Sequence, residues 1–207
     1  QHRYRIAVLR DPASRGGSVG MHEAVREGDT LTISAPRNHF PLVHARRSLL
    51  LAGGIGVTPL LAMAQRLAAI GADFTLHYCT RSPARTAFRD EIAASAFAAR
   101  VQYHFDDGDA AQKLDLEAQL ASPAGDTHLY VCGPTGFIDW VVQSAQRLGW
   151  NPDNVHLEYF GAAPQDTAGD RAFQVKIASS GATYEVPADQ TVVQARQRHG
   201  KEFLTSC

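Results

Sequence analysis

Short apolar segments alternate with amphipathic segments between residues 48 and 160, and this rhythm restricts the fold more than any other feature. The apolar segments cover residues 48–52, 74–79, 101–105, 128–132 and 155–159, and the helical candidates cover 59–70, 87–97 and 135–148. Short strands that are apolar throughout indicate a parallel sheet with helices on both faces. We therefore predict an α/β domain at residues 47–162, built on a five-stranded, parallel, doubly wound sheet.

The residues before this domain have the rhythm of β-structure instead. Polar and apolar side chains alternate at residues 4–8 and again at 30–35, with a glycine turn and a helical candidate at 21–26 between them. Alternation of period two is typical of strands with one buried face. Because two strands do not form a stable sheet alone, we predict that residues 1–46 are the C-terminal part of a β-domain.

A polar linker at residues 163–171 precedes a third region at 172–207. Alternating segments at 173–177 and 183–186 flank a Ser-Ser-Gly turn and predict a β-hairpin, followed by a helix at about 190–199 that Gly200 ends. This segment is too small to fold alone. We expect the native protein to continue beyond both ends of the sequence.

Charge and cysteine content exclude several classes of function. Twenty basic and 21 acidic residues give a net charge of -1, so we expect no nucleic-acid partner. Apolar stretches are far shorter than the roughly 20 residues of a membrane span, so we expect no membrane partner. The three cysteines are widely spaced and do not suggest a disulfide framework. We therefore expect a small-molecule enzyme of the cytoplasm.

The strongest local signal is the glycine-rich turn that follows the first apolar strand. Gly53, Gly54 and Gly56 stand directly before Thr58 and Pro59, where a helix is predicted to begin with the proline. Glycines allow the main chain to approach a phosphate, and the free N–H groups of a helix start favour an anion. Thr58 can add a hydroxyl donor. The spacing matches neither the G-x-G-x-x-G fingerprint nor the phosphate loop of ATPases.

Two further turns end predicted strands, at the edge where ligands bind in open parallel sheets. Cys132, Gly133 and Pro134 repeat the strand-to-turn geometry, and the thiol could form a small polarizable wall beside a nicotinamide ring. Thr80 and Arg81 are placed to meet a ribose or its 2′-phosphate. No acidic residue follows that strand directly and Arg85 is near, so NADPH stays open as an alternative to NADH.

In order along the chain, three motifs resemble those of the ferredoxin-reductase superfamily, and most closely the phthalate dioxygenase reductase family with its vanillate demethylase reductases. The motifs are Gly-Gly-Ile-Gly-Val-Thr-Pro at 53–59, Cys-Gly-Pro at 132–134 and Glu-Tyr-Phe-Gly at 158–161. The resemblance implies an FMN-binding β-barrel, an NAD(P)H domain and a plant-type [2Fe-2S] ferredoxin domain of the β-grasp type. Residues 1–46 would be the incomplete flavin-binding barrel, and 172–207 the start of the ferredoxin domain.

The resemblance also implies roles for single residues. Gly16, Gly17 and Ser18 would bind the FMN phosphate, and Phe160 would lie over the isoalloxazine ring. Cys132 and Glu158 would line the nicotinamide pocket. Cys207 would be the first ligand of a [2Fe-2S] cluster, with the other three cysteines and a flavin-binding Arg-x-Tyr-Ser/Thr segment expected outside this sequence.

The function implied is that of a monomeric reductase component which passes electrons from NADH, or less readily NADPH, through FMN to a [2Fe-2S] cluster. A terminal oxygenase of the Rieske type would then receive them. Two alternatives stay open from the sequence. One is a two-domain NAD(P)H:flavin oxidoreductase without a working cluster, and the other is a non-catalytic redox- or nucleotide-sensing module.

Overall fold

The computed structural model describes residues 3–12, 14, 16–123, 125–160 and 169–200. The chain divides into two compact units, one from Gln1–Leu9 and Gly28–Gly161, the other from Arg10–Glu27 and Ala162–Cys207. The strands are β1 (Arg47–Gly53), β2 (Asp73–Thr80), β3 (Val101–Phe105), β4 (Thr127–Cys132), β5 (Val155–Glu158), β6 (Phe173–Lys176) and β7 (Thr183–Val186). The α-helices are α1 (Gly17–Glu23), α2 (Val57–Ala69), α3 (Arg89–Ala93), α4 (Leu116–Leu120), α5 (Thr135–Arg147) and α6 (Val192–Arg198).

The larger unit holds the predicted five-stranded parallel sheet. Its strand order is β3-β2-β1-β4-β5, and every neighbouring pair is parallel. The strand order reverses at β1, which is the switch point where open α/β sheets bind ligands. The predicted fold of this region is therefore confirmed, and its carboxyl edge lies at the end of β1 and its neighbours.

Helices cover both faces of this sheet. On one face, α2 packs Leu60 and Ala64 against a cluster that includes Leu50 of β1. On the other face, α5 packs Ile138 and Val141 in a second cluster, and α4, which the sequence did not predict, joins that cluster. The burial of both faces explains why the strands are apolar throughout. No helix within the described ranges is long and apolar enough to cross a bilayer.

The two strands predicted in residues 1–46, at 4–8 and 30–35, are not formed. Among the described residues of that segment no β-strand is present, and α1 is the one regular element; it begins at Gly17 rather than at residue 21. The apolar side chains of the predicted strands are largely exposed, with Ile6 at 72% and Ile33 at 67%. Alternation favours a strand only where a second strand pairs with it, and here no described strand does. No closed barrel is present in the described part of the chain.

Helix α3 is shorter than the predicted helix at residues 87–97. It follows Phe88, whose backbone is left-handed, and it ends at Ala93. The Ser95 hydroxyl donates to the carbonyl oxygen of Ile92 at 2.7 Å, and the Ser95 amide donates to the same oxygen at 3.0 Å. Serine competes in this way for main-chain acceptors and stops the helix.

The second unit contains the predicted hairpin and helix. Strands β6 and β7 pair antiparallel, from Phe173 opposite Val186 to Lys176 opposite Thr183. The predicted helix start at residue 190 is two residues early, because Thr191 and Gln194 form a reciprocal capping box that starts α6 at Val192. The predicted hairpin and helix are therefore confirmed, and the assignment to a β-grasp domain stays a prediction.

Two histidine pairs join neighbouring strands of the parallel sheet, His77 with His104 and His128 with His156. His77 Nδ1 lies 3.0 Å from His104 Nε2, and His104 Nδ1 lies 3.0 Å from the carbonyl oxygen of Gln112. Because that carbonyl only accepts, His104 carries its proton on Nδ1 and His77 donates to His104. His77 is fully buried. Burial first, and the neighbouring His104 second, lower the pKa of His77 to about 4.

Candidate functional site

The turns after β1 and β4 are packed main chain against main chain. A Cβ atom on Gly56 would overlap the carbonyl group of Cys132, and one on Gly133 would lie 2.9 Å from the Cα of Gly53. Glycine is therefore required at Gly56 and Gly133 by the close approach of the two turns. Gly53 is confined by a side chain instead, because a Cβ on it would lie 2.9 Å from the ring of Phe137.

Gly54 is the one predicted glycine of the first turn that is open on its outer side. Its φ of 55° is unfavourable for other residues, and nothing lies within 4 Å of the position of a Cβ. A short 3-10 turn, Gly54–Gly56, precedes α2, and the amide of Val57 already donates back into it. The first N–H groups of a helical segment have no partner inside it. The donors available to an anion are therefore those of this turn.

Helix α2 begins at Val57, not at Pro59 as the sequence suggested, so the proline occupies the third helical position. The Thr58 hydroxyl donates to the carbonyl oxygen of Ile55 at 3.1 Å. In a regular α-helix that oxygen would accept the N–H of residue 59, which proline lacks. The predicted hydroxyl donor is thus engaged within the turn, and Thr58 also lines the cleft beside it.

A cleft of about 410 Å³ brings four of the predicted site residues together: Thr58, Pro59, Glu158 and Phe160. Its volume is in the range of small-molecule sites. A second cleft of about 360 Å³ shares Pro59 and Glu158 with it. Phe160 is 53% exposed, so its ring is available to a planar partner. Residues far apart in sequence thus meet at the carboxyl end of the sheet.

Cys132 lies at the end of β4, opposite Glu158 on β5 in the sheet register, and is fully buried. Burial, followed by the nearby Glu158 carboxylate, raises the pKa of the Cys132 thiol to about 12. The side chain is therefore a neutral thiol at physiological pH and not a thiolate nucleophile. This environment suits a packing role, and Cys132 does not itself line the cleft described above.

Pro134 connects β4 to α5. Its carbonyl oxygen accepts the N–H groups of Phe137 and Ile138, at 2.9 and 3.1 Å, and so starts the helix. The Pro134 ring also lies against Gly53, since a Cβ there would be 3.0 Å from its Cδ. The Cys-Gly-Pro motif thus fixes how the β4 turn sits on the β1 turn.

At the end of β2, side chains rather than glycines shape the loop. Thr80 is buried, and its hydroxyl lies 2.6 Å from that of Thr86, while both hydroxyls reach the carbonyl oxygen of Ser82. The Thr80 hydroxyl is thus engaged inside the loop. Arg81, in contrast, is exposed and has no ion pair within the described ranges.

Acidic residues beside this loop were not anticipated from the sequence. The Asp106 amide donates to the Thr80 carbonyl at 3.0 Å, and the Asp107 amide donates to the Arg81 carbonyl at 3.1 Å. They follow β3, the strand next to β2, and so reach the position where a dinucleotide-binding fold usually carries an acidic residue. The run Asp-Asp-Gly-Asp at 106–109 was the signal in the sequence.

A second group that the sequence did not reveal lines the cleft. The guanidinium of Arg5 pairs with the Glu91 carboxylate at 2.7 Å and lies 5.3 Å from the centre of the Phe88 ring. Gln65 Nε2 lies 3.5 Å from Glu91. These four side chains border the same cleft as Thr58 and Glu158. Because Arg5 and Glu91 are far apart in sequence, no local pattern indicates their contact.

The predicted flavin-phosphate turn belongs to the smaller unit. Gly16 has a φ of 114°, which strongly favours glycine, and precedes α1 directly. The Ser18 hydroxyl accepts the Asp11 amide at 3.2 Å and keeps its own hydrogen for donation. As the first helical residues, Gly17 and Ser18 direct their amides away from the helix. Cys207, the predicted cluster ligand, lies outside the described residues.

Comparisons with known proteins agree on one kind of relative. Residues 38–155 match the family model of the dimethylamine monooxygenase subunit DmmA-like N-terminal domain, which is more than half of the chain. The chain is 54% identical to a vanillate O-demethylase oxidoreductase of Pseudomonas putida, over all of this chain and 65% of that protein. It is 44% identical to the reductase subunit of a tert-butanol monooxygenase / tert-amyl alcohol desaturase of Aquincola tertiaricarbonis, over 64% of that protein.

Among solved structures, a phthalate dioxygenase reductase matches 97% of this chain with a TM-score of 0.74 and 36% identity. The match covers 62% of that protein, which is described as a modular structure for electron transfer from pyridine nucleotides to [2Fe-2S]. The chain thus spans slightly less than two thirds of the length of the curated relatives named above.

Proposed function

Because this chain belongs to the phthalate dioxygenase reductase family, which includes the vanillate O-demethylase oxidoreductases, we propose that it takes part in electron transfer from NADH through FMN to a [2Fe-2S] cluster. The observation that carries the proposal is the cleft between the start of α2 and the end of β5. It joins Thr58 and Pro59 to Glu158 and Phe160, which are far from them in the sequence. A reductase site must hold a nicotinamide ring beside a flavin. The cleft is suitable because Pro59 and the exposed ring of Phe160 line it.

Different residues of the sheet edge would bind different parts of the nicotinamide nucleotide. Gly54, Gly56 and the 3-10 turn would receive the pyrophosphate, with Gly53 and Gly133 fixing the turn from below. Thr58, Pro59, Cys132 and Glu158 would orient the nicotinamide ring. Arg81 would meet the adenosine ribose, on a loop that Thr80 holds in place. Since the Cys132 thiol is neutral, these residues would position the nicotinamide ring without exchanging a proton with it.

Two sets of residues are proposed for flavin binding. Gly16, Gly17 and Ser18 fit a phosphate, because a left-handed glycine opens a helix start and a hydroxyl hydrogen is free to donate. Phe160 would cover the isoalloxazine ring and move aside for the nicotinamide. When bound, FMN supplies the conversion of a two-electron hydride into single electrons.

The downstream steps rest on the relatives. The proposed acceptor is a [2Fe-2S] cluster with Cys207 as one of its thiolate ligands, and the proposed final partner is a terminal oxygenase, as the names of the relatives indicate for those proteins. We further propose a monomeric reductase of the cytoplasm, where widely spaced cysteines stay reduced. NADH is the proposed donor in preference to NADPH, because Asp106 and Asp107 adjoin Arg81.

The absorption spectrum and turnover of the full-length protein test this proposal. We expect flavin bands together with the broad visible absorption of a two-iron centre, and NADH oxidation with ferricyanide or cytochrome c as acceptor. Flavin without iron would favour a two-domain flavin oxidoreductase. A flavin-loaded full-length protein that does not oxidise NADH would contradict the reductase function and favour a sensing module.

The role of Phe160 can be tested directly. We expect Phe160→Ala to change the rate of flavin reduction by NADH about tenfold, because an exposed ring that covers the flavin controls entry of the nicotinamide. Stopped-flow absorbance of the flavin measures that rate. Phe173→Ala is the matched control, since Phe173 is similarly exposed at 50% but lies on β6. Equal flavin-reduction rates in both variants and the wild type would refute the stacking role.

A further inference from the structure

We propose that Phe88 is a positioning residue of the nicotinamide cleft, held by Arg5 and Glu91 in a strained backbone conformation. This inference rests on the proposed function, since it assigns a role within the same cleft. Phe88 touches neither glycine turn and belongs to none of the motifs that led to the site. It is nevertheless part of the wall that Thr58, Glu158 and Phe160 complete.

The backbone of Phe88 is the first observation. With φ 63° and ψ 16°, it is the one non-glycine residue in the described ranges with a positive φ. Bulky side chains avoid this region, and a strained residue persists only where its surroundings hold it. The position precedes α3, but the side chain makes no cap hydrogen bond. Helix capping alone would be better met by glycine or asparagine, so the ring itself must account for phenylalanine here.

The contacts of the ring are the second observation. One side of Phe88 packs on the hydrophobic core cluster of α2, and the Arg5 guanidinium lies 5.3 Å from the ring centre. Arg5 is fixed at its other end by Glu91, at 2.7 Å, and Gln65 of α2 approaches the same carboxylate. An exposed ion pair is weak by itself. Combined with a cation–π contact, it ties residues 5–7 to α2 and α3 around the cleft.

This arrangement sets the width of the cleft between residues 5–7 and the start of α2. Arg5, Ile6 and Ala7 form one border of the cleft, and Thr58 and Pro59 form another. The Phe88 ring and its bound guanidinium lie in contact with the first border and with the core below α2. Loss of the ring removes the support of Arg5, so the two borders are no longer held at a fixed separation. A planar ligand would then bind in several orientations, of which few bring it to the flavin.

The test uses the full-length, flavin-loaded reductase with NADH as donor and ferricyanide as acceptor. Phe88→Ala removes the ring, Phe88→Leu keeps apolar volume without a π face, and Arg5→Gln removes the cation while the ring stays. Phe97→Ala is the control, because Phe97 is a buried phenylalanine of the same core cluster but does not line the cleft. Wild-type turnover is measured first, since its absence would refute the proposed function and not this inference.

We expect Phe88→Ala to raise KM for NADH about tenfold and to weaken the long-wavelength charge-transfer absorbance that forms when NADH meets the flavin. Phe88→Leu and Arg5→Gln should show the same direction with a smaller change, about threefold, because Phe88→Leu keeps apolar volume and Arg5→Gln keeps the ring, although it loses both the cation–π contact and the ion pair with Glu91. Phe97→Ala should lower the melting temperature without changing KM or the charge-transfer band. If Phe88→Ala behaves like Phe97→Ala in both readouts, Phe88 is a core residue only and the inference is wrong.

Phe88→Gly separates strain from contact. Glycine accepts the left-handed backbone, so this variant should melt at a higher temperature than Phe88→Ala. It should still show the raised KM, because it also lacks the ring. A Phe88→Gly variant with wild-type KM would show that the turn conformation alone is needed, and would overturn the role assigned to the ring.

Discussion

At the ends of β1 and β4 the main chains of two turns pack directly against each other, whereas at the ends of β2 and β3 main-chain hydrogen bonds join the two loops and side-chain hydroxyls hold the β2 loop from within. The first junction depends on Gly56 and Gly133, which leave no space for a Cβ. The second depends on the hydroxyls of Thr80 and Thr86 and on amides of the Asp106–Asp107 turn. Both junctions lie at the same edge of one sheet.

This difference determines which part of a dinucleotide each junction can recognise. A junction made of main chain offers amide groups in fixed positions and suits the pyrophosphate, which all such nucleotides share. At the second junction, exposed side chains such as Arg81 can change without disturbing the strands, and they suit the ribose, where NADH and NADPH differ. We therefore expect substitutions at the β1–β4 junction to damage the fold, and substitutions of exposed side chains at the β2–β3 junction to adjust specificity.

Gly56→Ala should have the largest effect. The new Cβ would overlap the Cys132 carbonyl, a main-chain group that cannot turn away, so we expect a loss of about 3 kcal/mol or more in the free energy of unfolding. NADH oxidation should fall with it. Urea unfolding followed by circular dichroism measures the first quantity.

Gly136→Ala is the control for that substitution. Gly136 lies in the first turn of α5, where nothing would contact an added Cβ, so the variant should gain up to about 1 kcal/mol from helix propensity. If Gly56→Ala is as stable as Gly136→Ala, the two turns are not packed as described. The contrast between the β1–β4 junction and the β2–β3 junction would then fail.

Protonation of His77 should weaken the pairing of β2 with β3 as the pH falls. The unfolded chain binds a proton near pH 6.5 and the folded chain only near pH 4, so between these values the unfolded state binds more protons. The free energy of unfolding should therefore fall by about 3 kcal/mol from above pH 6.5 to below pH 4 on account of this residue. Urea unfolding at a series of pH values measures the loss.

Carboxylates also titrate at low pH, so the comparison must be made between variants. His77→Leu should flatten the wild-type profile between pH 6.5 and 4, since it removes the group that binds the proton. His39→Leu, at an exposed histidine, should follow the wild-type profile. A His77→Leu profile parallel to that of the wild type would show that the buried His77–His104 pair does not govern the stability of the β2–β3 pairing.

Thr80→Val should have an intermediate effect. It removes a hydroxyl that bonds to Thr86 and Ser82 inside the loop, and we expect a loss of about 1 to 2 kcal/mol in the free energy of unfolding. Thr75→Val on the same strand is the control, because its hydroxyl makes no hydrogen bond within the described ranges. A Thr80→Val protein as stable as the Thr75→Val protein would mean that this hydroxyl network does not hold the loop.

The sequence was sufficient for features that depend on local pattern. Apolar strands followed by glycine turns predicted the sheet and its carboxyl edge. It was not sufficient for features that depend on which strand lies next to which. Asp106 reaches the end of β2 only because β3 pairs there, and Arg5 meets Glu91 only through the folded chain.

The need for a pairing partner also explains the error in the N-terminal segment. Residues 4–8 and 30–35 alternate as strands do, but alternation shows only that a segment could pair, and pairing needs a second segment. Ile6 and Ile33 are exposed in the structure for that reason. A glycine in a turn after a strand, by contrast, already indicates in the sequence that another part of the chain or a ligand lies close to its main chain.

Asp107→Asn should have the smallest effect, and it tests the second half of the comparison most directly. The Asp107 amide donates to the Arg81 carbonyl, so the Asp107 carboxylate adds negative charge beside the loop that is proposed to meet the adenosine ribose. Its removal should raise kcat/KM for NADPH relative to NADH by about two- to fivefold, the size expected for one exposed charge. Arg81→Gln should change the ratio in the opposite direction, because it removes the cation that a 2′-phosphate would meet. Stability should stay unchanged in both variants. If neither variant alters the ratio of the two nucleotides, the β2–β3 junction does not contact the ribose, and specificity must come from the cleft beside Phe160.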